Sequence, residues 1–225
     1  MIETERLILR PFELRDAEDV WDYLKEPAVN CFACMKLHSL EEAEDEMNRR
    51  AEETEYYFAI VLKATGKVIG ELFGEPEGHS PDDDTMDTFS PCWILNRTYQ
   101  RKGYAYEAVK AYFDYLFYEK GVRRIYAYTE DDNIPSQCLC EALGMRREGL
   151  FLEFVSFVND PDGTPHYENT CQYAILKKEW TALETIRILC AQLRYLPYLA
   201  CSQYAAEKHT QPLRTSAPAL KNDRK

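Results

Sequence analysis

Gln100-Arg101-Lys102-Gly103-Tyr104-Ala105 is the stretch that decides the fold, because it joins the apolar run Trp93-Ile94-Leu95 to a helical pattern. A strand that turns at a glycine into a helix exposes unpaired N–H groups and the positive end of the helix dipole. Phosphate or pyrophosphate binds well at such a junction. The single glycine fits neither a Walker A loop nor a dinucleotide fingerprint. The residues alone leave two interpretations open, an anion site and an ordinary strand–turn–helix junction.

Hydrophobic patterning on both sides of this stretch predicts alternating strands and helices. Strands are predicted over residues 6–10, 56–62, 68–73, 85–95, 124–129, 145–154 and 170–177, with an interruption near Ser90-Pro91. Helices are predicted over residues 16–25, 39–55, 104–120 and 133–143. This order indicates the α/β class, with a mixed sheet covered by helices on both faces.

Charge is distributed unevenly along the 225 residues, whose net charge is −12. Residues 1–180 carry a net charge of −16, and residues 181–225 carry +4. An acidic domain repels nucleic-acid backbones and attracts cations. The composition therefore argues against a nucleic-acid binder and favours amine-bearing substrates.

Cysteine usage and the first residues point to the cytoplasm. The chain has eight cysteines, and its first residues are acidic and do not resemble a signal peptide. No run of 18 apolar residues predicts a membrane span. Cys31 and Cys34 have metal-ligand spacing, but no second pair follows them, so no metal is expected.

Four segments, in the right order, resemble the GCN5-related N-acetyltransferases (GNAT), and among them the ribosomal-protein-alanine acetyltransferase (RimJ/RimL-type) branch. The segments are Glu5-Arg6-Leu7-Ile8-Leu9-Arg10-Pro11, residues 100–105 with Glu107-Ala108, Asn133-Ile134-Pro135-Ser136 with Glu141-Ala142-Leu143-Gly144-Met145, and Tyr173-Ala174-Ile175-Leu176-Lys177-Lys178-Glu179-Trp180 as the terminal strand. The resemblance covers residues 1–180. It implies a GNAT-like, mostly antiparallel sheet of six to seven strands and an acetyl-CoA-dependent N-acetyltransferase.

The resemblance assigns residues 100–105 to the pyrophosphate of acetyl-CoA, held by backbone N–H groups that Gly103 lets approach closely. Arg101 and Lys102 are then expected near the 3′-phosphate, although surface solubility also explains them. The strand at 93–95 is expected to splay from the next strand and bond the pantetheine arm, with an N–H near Ile94 and Leu95 on the oxyanion. The cofactor-binding residues implied are Trp93, Ile94, Leu95, Gln100, Arg101, Lys102, Gly103, Tyr104, Ala105, Asn133 and Ser136.

The catalytic residues implied are Ser136, Glu71 and Glu153. Asn133 and Ser136 also fit a plain helix cap, an interpretation that stays open. In the family interpretation Asn133 contacts the pantetheine arm and Ser136 protonates the departing thiolate, since Cys140 stands where many relatives have Tyr. Glu71 and Glu153 are the acids on strands expected near the cleft, and we expect one of them to relay the proton from the amine.

Residues 181–225 extend beyond the resemblance. An apolar stripe predicts a helical extension over 181–208, followed by a disordered tail over 209–225. The extension packs on its own domain, forms a dimer or partner contact, or lies across the acidic cleft, and these alternatives stay open. The chain is accordingly expected to be a monomer or a homodimer.

The acceptor expected is a protein N-terminus or a small cationic amine. Two alternatives remain beside this function. One is an acyl-CoA-binding sensor or scaffold without turnover, because the Tyr and an acidic position of the branch are missing. The other is a toxin that acetylates aminoacyl-tRNA, which the acidic charge of residues 1–180 disfavours.

Overall fold

The computed structural model describes residues 1–78 and 86–192. Its strands are β1 (Ile2–Glu3), β2 (Leu7–Arg10), β3 (Phe58–Leu62), β4 (Val68–Glu77), β5 (Thr88–Leu95), β6 (Arg124–Glu130), β7 (Arg146–Asn159) and β8 (Pro165–Leu176). Its α-helices are α1 (Ala17–Leu24), α2 (Leu40–Arg50), α3 (Tyr104–Asp114), α4 (Ile134–Leu143) and α5 (Lys177–Gln192). Short 3₁₀ turns cover Leu14–Asp16, Asn30–Met35 and Arg97–Tyr99, and a π-helical turn over Tyr115–Glu119 continues α3.

The described strands form one eight-stranded sheet in the order β1-β2-β3-β4-β5-β6-β8-β7. Every neighbouring pair is antiparallel except β5 and β6, which run parallel. The predicted mixed, mostly antiparallel sheet is therefore confirmed. It has one strand more than the six to seven expected, because the two residues of β1 pair with Leu9 and Ile8 of β2.

The two faces of the sheet are covered by different helices. Because strand residues alternate between faces, Phe58 and Ala59 of β3 lie in different layers. Ala59 packs with α1 and α2, in a cluster that includes Val20 and Met47. Phe58 instead meets the Tyr112 ring of α3 at 5.7 Å between ring centroids. Helices on both faces, as predicted, thus bury two apolar layers.

Several predicted features of the elements are wrong, among them the ends of β4 and β7 and the starts of β5 and β8, which differ from the prediction by three to five residues. Strand β5 continues through Pro91 without an interruption. Helix α2 ends at Arg50, short of the predicted Glu55. The terminal strand ends at Leu176, and Lys177 begins α5, whose buried Trp180 packs on Phe113 at 5.5 Å between ring centroids. An apolar stripe is compatible with either element, so the sequence pattern did not resolve where β8 becomes α5.

The chain divides into two compact units, residues 1–181 and residues 182–225. The second unit is described only as far as Gln192, the end of α5. The predicted helix to residue 208 and the tail over 209–225 lie largely or wholly outside the described residues, and both stay predictions. Within the part of the chain that the structure describes, no helix is long and apolar enough to cross a membrane.

Candidate active site

The loop between β5 and α3 presents a row of backbone donors. Gly103 has φ 81° and precedes the first residue of α3, and Arg101 is also left-handed, with φ 61°. Left-handed residues beside right-handed ones turn successive N–H groups toward one side, which makes a concave anion site. No described residue accepts a hydrogen bond from the backbone N–H groups of residues 101–105. The helix dipole adds positive potential at the same point.

A side chain from the start of the chain holds this loop in place. Arg6 donates from Nε to Glu107 Oε2 at 2.6 Å and from Nη1 to the Lys102 carbonyl at 2.9 Å. Its guanidinium lies 4.5 Å from the centre of the Tyr104 ring. Glu107 also accepts from the Thr4 hydroxyl at 2.6 Å. Burial alone would raise the pKa of Glu107, but the hydrogen bonds from Thr4 and Arg6 outweigh it and hold the pKa below its ordinary value.

The polar side chains predicted on the loop make local contacts. Gln100 donates from Nε2 to the Leu95 carbonyl at 3.0 Å and so ties the loop to the end of β5. Lys102 donates from Nζ to the Thr98 carbonyl at 3.0 Å. The Arg101 side chain is exposed to solvent. The predicted loop residues are therefore brought together, with the charges at its rim and the backbone donors at its centre.

One edge of β5 is open over most of its length. β5 pairs with β6 only at Thr88 and Phe89, opposite Arg124 and Ile125, whereas it pairs with β4 as far as Leu95. The predicted splay between the two parallel strands is therefore present. A gap of this kind accepts an extended ligand as a further strand.

The strand register identifies which backbone groups face the gap. In an antiparallel pair, alternate residues turn their N–H and C=O toward the partner strand. The Asn96 N–H donates to the Ile69 carbonyl at 2.8 Å, so Ile94 also turns toward β4. Trp93 and Leu95 therefore direct their backbone groups toward β6. Of the two residues near which the oxyanion donor is expected, Ile94 turns its N–H toward β4, and Leu95 turns its N–H toward the gap.

Helix α4 begins on the opposite side of the gap. Asn133 caps it by accepting from the Ser136 N–H at 3.2 Å, as predicted. The Trp93 indole donates from Nε1 to Ser136 Oγ at 3.2 Å, which joins β5 to α4. No described residue accepts the Ser136 hydroxyl hydrogen. Ser136 therefore has a proton to donate beside the open edge of β5.

Glu71 is fully buried on β4, directly opposite Ile94. Its Oε2 accepts from Arg50 Nη1 and from the Tyr57 hydroxyl, while its Oε1 has no partner among the described residues. Burial raises the pKa of Glu71 above its ordinary value, although the Arg50 charge opposes this. Arg50 is itself 1% exposed and contacts the Phe12 and Tyr57 rings.

Glu153 lies in a different environment. It is exposed on β7, has φ 48° at a register shift of the β7–β8 pair, and donates its N–H to Asn169 Oδ1 at 3.0 Å. β4 and β7 are not neighbours in the sheet. The structure therefore does not bring the two predicted acids together, and it favours Glu71, beside Ile94, over Glu153 as the acid near β5.

The Cys140 thiol is withdrawn from solvent and is not available as a nucleophile. Cys140 is buried in α4, and burial raises the pKa of its thiol to about 12. Cys140 therefore packs in the interior, whereas Cys138, on the same helix, is exposed.

The sequence profile of the acetyltransferase (GNAT) domain matches residues 6–146 of this chain. The chain is 32% identical over 184 residues to the uncharacterized N-acetyltransferase YnaD of Bacillus subtilis (strain 168). That alignment covers 80% of this chain and 98% of the relative.

Two solved structures share the fold. An acetyltransferase (GNAT family) from Bacillus anthracis is 29% identical, with a TM-score of 0.66, and the match covers 79% of this chain and 99% of that one. A ribosomal-protein-S5-alanine acetyltransferase from Vibrio fischeri is 20% identical, with a TM-score of 0.60 and coverage of 79% and 97%. The second likeness concerns the fold alone.

Proposed function

The chain belongs to the acetyltransferase (GNAT) family, and from that premise we propose that it moves the acetyl group of acetyl-CoA to a primary amine. The observation that carries the proposal is the row of backbone N–H groups at residues 101–105, beside the open edge of β5. A pyrophosphate satisfies such donors, and an extended pantetheine arm satisfies such an edge. One ligand, acetyl-CoA, carries both groups.

In this proposal the residues around the gap bind different parts of acetyl-CoA. Gly103, Tyr104 and Ala105 present their N–H groups to the pyrophosphate, with Arg101 and Lys102 at the rim near the 3′-phosphate. Gln100 fixes the loop to β5. Trp93 bonds the pantetheine arm through its backbone, and Leu95 directs its N–H at the thioester. Ile94 supports both from the β4 side, and Asn133 and Ser136 face the arm from α4.

The reaction is a direct transfer in a ternary complex. The nitrogen of a neutral amine attacks the thioester carbon, and the Leu95 N–H stabilises the oxyanion that forms. The carbon–sulfur bond then breaks, and the thiolate takes a proton from solvent, either directly or through the Ser136 hydroxyl, which regains its proton from solvent. A free thiol has a pKa of about 8.5, so the thiolate needs only modest help to leave.

The amine must lose a proton during the transfer, and we propose that Glu71 accepts it, with Glu153 as the alternative. A carboxylate whose pKa is raised by burial is a better base near neutral pH than an exposed one. The unpartnered Oε1 of Glu71, on the strand beside β5, supports this choice. Buried as it is, Glu71 receives the proton through water rather than directly.

The acceptor that we propose is a small cationic amine or a protein N-terminus, as in the RimJ/RimL-type branch. The net charge of −16 over residues 1–180 supports a cationic acceptor. The described cysteines are free thiols, which supports a reducing compartment such as the cytoplasm.

A panel of primary amines, with release of CoA thiol from acetyl-CoA as the readout, tests the function. We expect thiol release to depend on the amine, and mass spectrometry to find an acetylated product in equal amount. Binding of acetyl-CoA without amine-dependent release would instead favour the sensor or scaffold alternative. That alternative draws support from the ion pair that encloses Glu71. Salt-dependent binding of tRNA would instead favour the alternative in which the protein acetylates aminoacyl-tRNA.

A further inference from the structure

The buried Glu71 carboxylate has few contacts through which a proton can reach it. Among the described residues, only Arg50 and Tyr57 donate hydrogen bonds to it, both to Oε2. An arginine guanidinium keeps its protons in proteins, so Arg50 cannot exchange one with the carboxylate. A phenol hydroxyl can both donate and accept. Tyr57 is therefore the one described hydrogen-bond partner of Glu71 that is able to pass it a proton.

Two other polar atoms at this place are withdrawn from solvent. Oε1 of Glu71 is buried and has no partner among the described residues, and the same holds for the hydroxyl of Tyr23 on α1. Glu71 is 0% exposed and Tyr23 is 6% exposed, whereas Tyr57 is only half-buried. Of these three side chains, Tyr57 is the one that solvent reaches.

Tyr57 lies over the part of the sheet that borders the open edge of β5. Its ring packs on the Phe73 ring at 4.9 Å between centroids, and its hydroxyl donates to Glu71 at 3.2 Å. In the register of β4 with β5, Phe73 stands opposite Cys92 and Glu71 stands opposite Ile94. Both β4 side chains that Tyr57 contacts are therefore next to the strand proposed to hold the thioester.

Packing holds the Tyr57 ring in one orientation. Phe12 meets it edge-on at 5.4 Å between ring centroids, and the Arg50 guanidinium lies 5.0 Å from its centre. Burial raises the pKa of Tyr57 well above its ordinary value, and the Glu71 charge adds to this effect. Tyr57 therefore stays a neutral phenol whose hydroxyl proton is directed at Glu71.

We propose that Tyr57 is the relay through which Glu71 receives the proton of the attacking amine. The inference rests on the proposed function and adds one residue to its proton path. Tyr57 stands between the water molecule that takes the proton from the amine and the buried carboxylate that finally holds it. The half-buried phenol thus solves the problem that a fully buried base has no contact with the substrate.

Every proton in this relay is accounted for. As the amine nitrogen bonds to the thioester carbon, it releases a proton to water. The water passes a proton to Tyr57 Oη while the Tyr57 hydroxyl proton moves to Glu71 Oε2. Water and Tyr57 are unchanged at the end, and Glu71 has become a neutral carboxylic acid. The same path returns the proton to solvent after turnover.

The pH dependence of the relay depends on the charges around it. The ionisable groups that face the relay are Glu46, Arg49 and Arg50 on α2, Tyr23 on α1 and Cys92 on β5. Burial raises the pKa of Glu71, Arg50 opposes this, and Glu46 adds to it. Because the base works only when it is ionised, thiol release should fall as the pH drops through the raised pKa of Glu71.

Tyr57→Phe keeps the ring, removes the hydroxyl and so tests the inference, with release of CoA thiol from acetyl-CoA as the readout. The acceptor is the amine of the panel that the unaltered protein uses best. We expect kcat to fall by about 10²-fold or more, because the proton path is broken. KM for acetyl-CoA should stay nearly unchanged, and the acidic limb of the pH–rate profile should disappear.

Tyr112→Phe is the matched control. It makes the same chemical change at a buried tyrosine on the opposite face of the sheet, whose hydroxyl donates to the Tyr56 carbonyl at 2.7 Å. The control should keep both kcat and the acidic limb. An equal loss of kcat in Tyr112→Phe would assign the effect to the loss of a packed hydroxyl and would overturn the inference.

A double variant separates one relay from two independent contributions. Residues that act as a unit lose activity non-additively, so Tyr57→Phe added to Glu71→Gln should lower kcat little further than Glu71→Gln alone. Losses that multiply, or full turnover with an unchanged acidic limb in Tyr57→Phe, would overturn the inference and leave the acetyltransferase proposal standing. If no amine of the panel released CoA thiol with the unaltered protein, the proposed function would fail, and the relay with it.

Discussion

At the scale of single residues, the Arg50–Glu71 pair is the buried ion pair that joins helix α2 to the sheet. Both side chains are at most 1% exposed, and Arg50 also donates to Glu46 Oε1 at 2.7 Å. Removing one member of a buried ion pair leaves the other charge without compensation. The Glu71 carboxylate is therefore needed to compensate the buried charge of Arg50, independently of any role that Glu71 has in proton transfer.

Glu71→Ala should lower the free energy of unfolding by about 3–5 kcal/mol, because Arg50 then remains buried with Glu46 as its main partner. Glu153→Ala is the control, and at an exposed position it should change the same quantity by less than about 0.5 kcal/mol. Urea denaturation measures both. Equal effects of the two substitutions would contradict the burial of the Glu71 pair.

A test of the catalytic roles of Glu71 and Glu153 requires variants that still fold. Glu71→Gln keeps the shape of the side chain, and its pH–rate profile should lose the acidic limb that the unaltered protein shows if Glu71 is the base. An unchanged profile in Glu71→Gln, with a changed one in Glu153→Gln, would assign the role to Glu153.

Local residue roles followed from the sequence, whereas distant contacts did not. Gly103 and Asn133 were predicted because a turn and a cap are set by neighbouring residues. The contact of Arg6 with Glu107 joins residues 101 positions apart, and no local pattern predicts it. The family-like opening motif was the only signal that Arg6 matters.

At the scale of elements, the open edge of β5 explains how a proline lies inside a strand. Pro91 stands opposite Gly74, and the register turns the missing N–H of Pro91 toward the gap. No hydrogen bond to β4 is lost there. The predicted interruption at Ser90-Pro91 was wrong because the sequence does not show which edge of a strand is unpaired.

Leu95→Pro uses the same geometry to remove a single donor. The substitution deletes the N–H proposed to bind the oxyanion and keeps the hydrogen bonds between β5 and β4. We expect kcat to fall by about 10²–10³-fold with the unfolding midpoint nearly unchanged. Leu95→Ala, which keeps the N–H, should lose much less activity. Similar losses in the two variants would contradict the role of the backbone donor.

Gly103→Ala tests the role of the loop, and Gly66→Ala, in a turn with a similar φ, is its control. Gly103 and Gly66 have φ of 81° and 70°, so alanine is strained at both and should cost about 1–2 kcal/mol of stability. A Cβ at Gly103 would lie 3.2 Å from Arg6 Nη2, whereas nothing lies within 4 Å at Gly66. Calorimetric titration with acetyl-CoA should show weaker binding for Gly103→Ala alone. Equal affinity in both variants would contradict the loop's role.

At the scale of the whole molecule, the order of elements was predictable from hydrophobic periodicity, and the sheet class followed from it. The contacts of the 3₁₀ turn Asn30–Met35 with β6 and β8 were not predictable. They bring Asn30, Glu130 and Glu168 together from three distant parts of the chain. Overall acidity favours a cationic acceptor, which stays a proposal.

The central claim is that acetyl-CoA lies across the N–H groups of residues 101–105 and along the open edge of β5. Amide hydrogen exchange, measured by NMR with and without acetyl-CoA, tests it most directly. The account predicts slower exchange at the amides of residues 101–105 and of Trp93 and Leu95, with no change in the turn at residues 63–67. Acetyl-CoA binding that leaves the amides of residues 101–105 unprotected would contradict it.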